Sequence, residues 1–297
     1  MSGDALVFDR VLARRRLARA VAAGYPDFLL VRAVEDLEER LGAVLRQFGA
    51  AADLGTPLPL AGPALRAKAE TLLRLAESAG PGADLVGDLE RLPLAAGSLD
   101  LACSLLALHA VNDLPGALIQ IRRALRPDGL FIGCLLGGRS LQELRQALLE
   151  AESETTGGVS PRVAPFADLR DLGSLLQRAG FALPVVDSEL VTVRYRDMFG
   201  LLRDLRGMGW GNALTQRSRR GLRRETLLRA AALYGERFAD ADGRLRATFE
   251  MVWLSGWAPH ESQQKPLRPG SAKARLADAL GVPEIGTGEK AGENRDG

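Results

Sequence analysis

The chain has 297 residues, 46% of them apolar and 26% charged, with 39 basic against 37 acidic side chains. That length holds a substantial core, the near-balance of charge argues against a polyanion-binding surface, and no apolar run is long enough to span a bilayer. Two cysteines (Cys103 and Cys134) point to a reducing, cytoplasmic setting rather than a disulfide scaffold, and two histidines (His109 and His260) leave little material for a metal site, so none is expected.

In chain order, residues 7–23 (VFDRVLARRRLARAVAA) read as a basic amphipathic helix. Such a segment can mimic a transit peptide, but Asp4 and Asp9 count against that, and a solvated helix packed on the main domain is expected. Residues 27–48 carry Leu30, Val34, Leu37, Leu41, Val44, Leu45 and Phe48 at helical spacing. A short strand over 50–54 ends at Gly55; residues 63–79 read as one helix closed by Gly80-Pro81-Gly82; and 83–87 form a second brief strand. The run LDLACSLLAL over 99–108 has the continuous apolar character of a strand buried on both faces. Asn112 or Asp113 can cap a helix reaching Leu125, Pro127-Asp128-Gly129 marks a turn, and residues 130–136 give another buried strand. Ser140 and Glu143 stand at capping-box spacing ahead of a helix over 141–150, and a helix over 168–179 stops at Gly180 before a strand over 184–195. Strands alternating with helices imply a parallel α/β sheet. The alternation then breaks: two helices (198–208 and 222–238) precede a last strand over 246–257, with Ala247, Phe249, Met251 and Trp253 on one side. Residues 281–297 are polar and Gly-rich, and are expected to be disordered.

The chemistry-bearing positions gather after the strands, where open α/β sheets bind ligands. Asp53-Leu54-Gly55 opens a turn, DLGTPLPL, with one glycine followed by two prolines. Asp88 and Leu89 follow the brief strand at 83–87, and Leu106 to His109 follow the strand at 99–108. His109 can act as a proton carrier or simply pack.

The order DLG, then D-x-x-x-LP, then S-x-D-L, then LRPDG ahead of a strand resembles class I S-adenosylmethionine-dependent methyltransferases. FDR at residues 8–10, the stretches 106–138 and 160–181, MFGLLRDLRGMG and ATFEMVWLSGWAPHESQQKP resemble one subgroup: a mitochondrial complex I assembly factor that hydroxylates an arginine, and its bacterial homologues. The malonyl-carrier-protein O-methyltransferase of biotin synthesis is similar at greater distance. The resemblance implies a Rossmann-like, mostly parallel seven-stranded sheet with one antiparallel strand, N-terminal helices, and a helical insertion before the last strand. It divides the chain into an N-terminal helical segment (1–48), a methyltransferase-like domain (49–259, insertion at about 196–244) and a C-terminal arm with tail (260–297). It implies S-adenosylmethionine as cofactor, with Asp53 and Gly55 at its methionine end, Asp88 and Leu89 beside the adenine, and Leu106 to His109 near the sulfonium.

An acidic residue after the second strand should hold the ribose hydroxyls. Glu70 is a poor stand-in, because it falls inside an expected helix, and the loop at Gly55 lacks further glycines. Two functions compete: an enzyme acting by methylation or arginine hydroxylation on a protein substrate, with a complex I subunit the leading candidate, and a non-catalytic scaffold on the same fold. Nucleic acid is not an expected partner, and the absence of a membrane span leaves peripheral association open. The segment 256–268 is the best candidate for partner recognition. A His109–His260 iron site would need folding to bring the two together. All but four of the basic residues are arginines, which reads mainly as composition, although arginine's planar fork suits phosphate and carboxylate.

Overall fold

A computed structural model describes residues 6–263. The chain divides into a compact unit, Met1–His260, and a second, Glu261–Gly297, of which only the first three residues are described. Every described helix and strand belongs to the first unit. The expected tail at 281–297 and most of the suggested recognition segment after Gln263 lie outside the described residues.

Two helices come first, α1 (Arg10–Ala23) and α2 (Phe28–Gly42). The sheet then builds from β1 (Phe48–Leu54), β2 (Ala69–Ala76), β3 (Leu85–Val86), β4 (Leu99–Leu105), β5 (Leu125–Leu136), β6 (Ala182–Tyr195) and β7 (Leu245–Trp257). Between them lie α3 (Gly62–Arg66), α4 (Leu114–Ala124), α5 (Gln142–Thr156), α6 (Leu169–Arg178), α7 (Met198–Gly207) and α8 (Arg224–Phe238). The strand order is β3-β2-β1-β4-β5-β7-β6, parallel throughout except for β7, which runs antiparallel to both β5 and β6. This is the expected Rossmann-like sheet with its single reversed strand, and α7 and α8 form the expected insertion before it.

The period-2 alternation of β7 divides its side chains between two cores. Ala247, Phe249, Met251 and Trp253 enter the core shared with α2, α5 and α8, while Val252 and Leu254 enter the core shared with α4 and α6. Helix starts follow local chemistry: Asp9, Asp113, Asp168 and Asp197 each accept an amide hydrogen bond from their own first turn.

The structure corrects two expectations from the sequence. Residues 63–79 are not one helix: α3 ends at Arg66 and the chain turns into β2, which pairs with β1 from Phe48↔Ala69 to Leu54↔Leu75. Ala, Glu, Leu and Arg favour helix locally, but pairing along β1 overrides that preference. Nor do Ser140 and Glu143 make a capping box. Leu141, at φ +56, turns the chain ahead of α5; Ser140 Oγ accepts from the Glu250 amide at 3.0 Å, and Glu143 accepts from the Thr248 amide at 3.1 Å. Both polar side chains therefore satisfy the backbone of β7 rather than the helix end.

Candidate cofactor cleft and adjoining cavity

The carboxyl ends of β1, β2 and β4 converge on a cleft. Gly55 ends β1 at φ +77, and a Cβ there would stand 2.8 Å from Leu89 Cδ1 and 3.1 Å from Ala107 Cβ. A side-chain-free turn thus lets the buried Leu89 and the chain after β4 press against the end of β1. Asp53, 1% exposed, lies beneath, with Arg74 Nε 3.5 Å away and neither carboxylate oxygen hydrogen-bonded. Burial pushes its carboxyl up to about 6, with Thr56 and Arg74 holding it back from rising further. Thr56 braces the turn: its hydroxyl accepts from the Leu105 amide at 3.1 Å and its carbonyl from Arg74 Nη2 at 2.7 Å.

The acid that sequence reasoning could not place is Glu77, the first residue after β2. Glu70 sits at the opposite end of that strand and is exposed. Glu77 escapes the sequence reading because β2 reads as helix; the available signal is a mostly apolar stretch, Leu72 to Ala76 interrupted by Arg74, stopping at an acid. Its side chain is only 6% exposed and is ion-paired with Arg10 and, at 3.3 Å, with Arg14, both projecting from α1. The same two guanidiniums reach Asp88: Arg14 Nη2 at 2.5 Å and Arg10 Nη2 at 3.4 Å. Burial raises the Asp88 carboxyl, but the Glu90 amide, Arg14 and Arg10 together outweigh it and hold the group below its ordinary value.

Helix α1 is fixed over this cleft from both flanks. The amide and carbonyl of Phe8 both bond the Asn112 side chain, at 2.7 and 3.1 Å, and Arg10 donates to the Ala110 carbonyl at 3.0 Å. On the other flank, the Asp9 amide donates to Ala213 and the Thr215 amide to Val7. Between α1 and the turn after β1 only about 20 Å³ remains, room for a single water. The donor set (Asp53, the glycine turn, Glu77 and Asp88) has the chemistry that a ribosyl-adenine cofactor needs. The space does not, because the guanidiniums of α1 occupy it.

His109 lies on the far side of α1. Its ring meets Trp210 edge-on at 5.3 Å and Phe166 at 5.9 Å, and its Nδ1 is enclosed without a partner. Burial first, then the positive charge of Arg10, pushes its pKa down to about 4. Leu106, just before it, is buried at φ +52, a conformation costly for leucine, held by its amide bond to the Cys134 carbonyl at 2.7 Å. His109 lines a cavity of about 1020 Å³ above the carboxyl ends of β4 and β5, walled by α1, α5 and α7. His260 lies toward the opposite end of the strands, two residues beyond Ala258, whose backbone bonds those of Asp128 and Gly129 near the start of β5. The two histidines are therefore not brought together, and among the described residues no group of three or more potential ligands could hold a metal ion.

The structure thus gathers Asp53, Gly55 and Leu89 at the cleft floor, sets Asp88 on its rim beside Glu77, and turns His109 toward a separate cavity.

A methyltransferase-domain family model matches residues 68–133. The chain is 45% identical to the mitochondrial arginine-hydroxylase NDUFAF5 of Danio rerio over 67% of this chain, but this match spans only 61% of that protein. It is 39% identical to the mitochondrial arginine-hydroxylase NDUFAF5 of Homo sapiens, over 92% of this chain and 83% of that one. The chain belongs to the NDUFAF5 family. The chain is also similar to a malonyl-[acyl-carrier protein] O-methyltransferase of Methylovorus, 35% identical over 87% of this chain and 92% of that one. Among solved structures, the YcgJ protein of Bacillus subtilis superposes with a TM-score of 0.51 at 12% identity, covering 76% of this chain and 99% of that one, a likeness of fold alone. These relatives correct one expectation. NDUFAF5 relatives from zebrafish, human and Dictyostelium discoideum are mitochondrial proteins, so a cytoplasmic setting, inferred from two cysteines, does not stand. Cys103 and Cys134 are free and buried, and so carry little information about the redox state outside. Among the described residues no helix is long and apolar enough to cross a membrane.

Proposed function

We propose that this NDUFAF5-family chain is an enzyme that binds S-adenosylmethionine in the β1–β2–β4 cleft and modifies an arginine of a protein, by hydroxylation or methylation, where respiratory complex I is assembled. The observation that carries the reading is the likeness to the human arginine hydroxylase over nearly the whole chain. The cleft supports it with a full set of carboxylates. Glu77 would accept the ribose hydroxyls, Asp88 and Leu89 would flank the adenine, and Asp53 with Gly55 would face the methionine end, once Arg10 and Arg14 withdraw. Bound there, the cofactor would supply an electrophilic methyl group on a sulfonium, which serves methylation alone; hydroxylation would take its oxygen atom and its oxidising power from dioxygen, with a reductant to carry the second oxygen atom to water. The chain's own part is to bind and orient: the low-dielectric floor around Asp53 strengthens any hydrogen bond it makes, and a neutral His109 leaves the neighbouring face without added charge.

Calorimetry of the full chain with S-adenosylmethionine tests the binding. Saturable heat that is lost in Glu77→Gln and weakened in Asp88→Asn supports the assignment. No heat at millimolar cofactor refutes it. Mass spectrometry of arginine-containing complex I subunit peptides after incubation then separates a gained oxygen from a gained methyl group. An unmodified arginine in every peptide removes the catalytic reading and leaves a scaffold.

A further inference from the structure

The cavity above β4 and β5 has a charge that the proposed arginine-directed chemistry does not explain. Its floor is apolar, with Leu136, Leu144 and Leu148, and its end is closed by Trp210 and Phe166 beside a neutral His109. Among the described residues five arginines line it and no acidic residue does. One of the five, Arg162, is neutralised by Glu152 at 2.5 Å. The other four, Arg16 and Arg19 from α1 and Arg203 and Arg206 from α7, have no carboxylate partner among the described residues. The single acid on α7, Asp204, lies near Tyr195 and does not line the cavity. Arg16 gives one guanidinium nitrogen to the Asn212 carbonyl at 2.6 Å, which aims its head without cancelling its charge. Elsewhere Arg32, Arg40 and Arg126 meet a carboxylate while Arg15, Arg66, Arg91 and Arg123 make no salt bridge among the described residues, so what distinguishes the four is not the lack of a partner but their convergence on one apolar-floored cavity whose described lining holds no acid.

We infer that this cavity is a binding site for an oxyanion, carboxylate or phosphate, carried on an apolar body. The volume is at the upper end of small-molecule sites, the leucine floor and the two aromatic rings take the apolar part, and the unpaired guanidiniums at the α1 and α7 walls take the anion. An arginine side chain entering here would add a fifth unpaired cation to four already present, so the occupant is a ligand other than the substrate arginine. The site stands without reference to the cofactor, and its test uses none.

The test follows Trp210 fluorescence in the full chain at low salt, with Trp210→Phe to assign the signal. Four probes share one chain length: decanoate, decyl phosphate, decanol and decyltrimethylammonium. Both anions are expected to bind saturably and decanol more weakly. The Arg203→Gln/Arg206→Gln double variant, altered only at exposed positions, should weaken the anions about fivefold while leaving decanol unchanged. Whichever anion binds more tightly names the natural headgroup. Decanol binding as tightly as the anions, the ammonium binding more tightly than either, or a double variant matching the native chain would each overturn the assignment. Inorganic phosphate binding as well as decyl phosphate would overturn its apolar half.

Discussion

Replacing His109 with glutamine should change how stability depends on pH, and in a direction that the structure fixes. Burial holds the folded-state pKa near 4, against an ordinary value of 6.5, so the unfolded chain takes up a proton in the window between them while the folded chain does not. Stability linked to His109 is complete above about pH 6.5 and falls as the pH drops toward 4. At about 1.4 kcal/mol per pH unit, that loss amounts to roughly 2–3 kcal/mol between pH 7.5 and 4.5. Asp53 works with the opposite sign. Its carboxyl is raised from 3.8 to about 6, so its contribution is present at low pH and is lost as pH rises through 6, an offset of about 2 kcal/mol over the same window. The native chain should therefore show little pH dependence from this pair. Urea unfolding at pH steps from 7.5 to 4.5 reads the difference. His109→Gln should lose its ring packing on Trp210 and Phe166 at every pH, yet gain roughly 2–3 kcal/mol on the native chain as the medium acidifies. Asp53→Asn should drift the other way. Profiles for His109→Gln that stay parallel to the native chain would show that the ring is not held neutral, and the reasoning from burial would fail.

Arg10→Gln should cost about 2–3 kcal/mol in urea unfolding, because it leaves the enclosed Glu77 with Arg14 alone at 3.3 Å, and Glu77→Gln added to it should recover part of the loss; strictly additive effects would refute the pairing. Gly55→Ala should cost about 2–3 kcal/mol, or a fall in Tm of about 5–10 °C by calorimetry, since it meets both a positive φ and Leu89 Cδ1 at 2.8 Å; an unchanged Tm would mean that the turn yields more easily than its close contacts imply.

The sheet's middle is plain in the residues because β4, β5 and β7 are apolar enough to leave no other reading. β2 is not, for a physical reason: AETLLRLA is good helix sequence, and only the neighbouring β1 makes it a strand. That one error hides Glu77, since an acid gains its meaning from the strand it ends. Asp53, Gly55 and Leu89 can be named from their place after strands, and they do meet at one floor. The FDR motif is visible, but what it does is not. Phe8 bonds a residue 104 positions away and Arg10 one 67 positions away, distances over which a linear pattern says nothing. The capping-box spacing fails for a related reason: a distant strand offers Ser140 and Glu143 better partners than their own helix.

The two clasps that hold α1 also date its arrival during folding. Phe8 waits for Asn112, and Val7 waits for Thr215, 208 residues on. No contact within α1 itself returns the entropic cost of closing loops of that length, so α1 is expected to dock only once the sheet has given it a surface to settle on. A segment that docks last on such a surface is commonly among the first to detach in the native state, and hydrogen exchange would find it at the low end of the stability scale. If the cleft takes the proposed cofactor, α1 thus sets its threshold: the carboxylates would be uncovered only as often as this helix detaches, a local equilibrium that salt or the loss of a single guanidinium should shift.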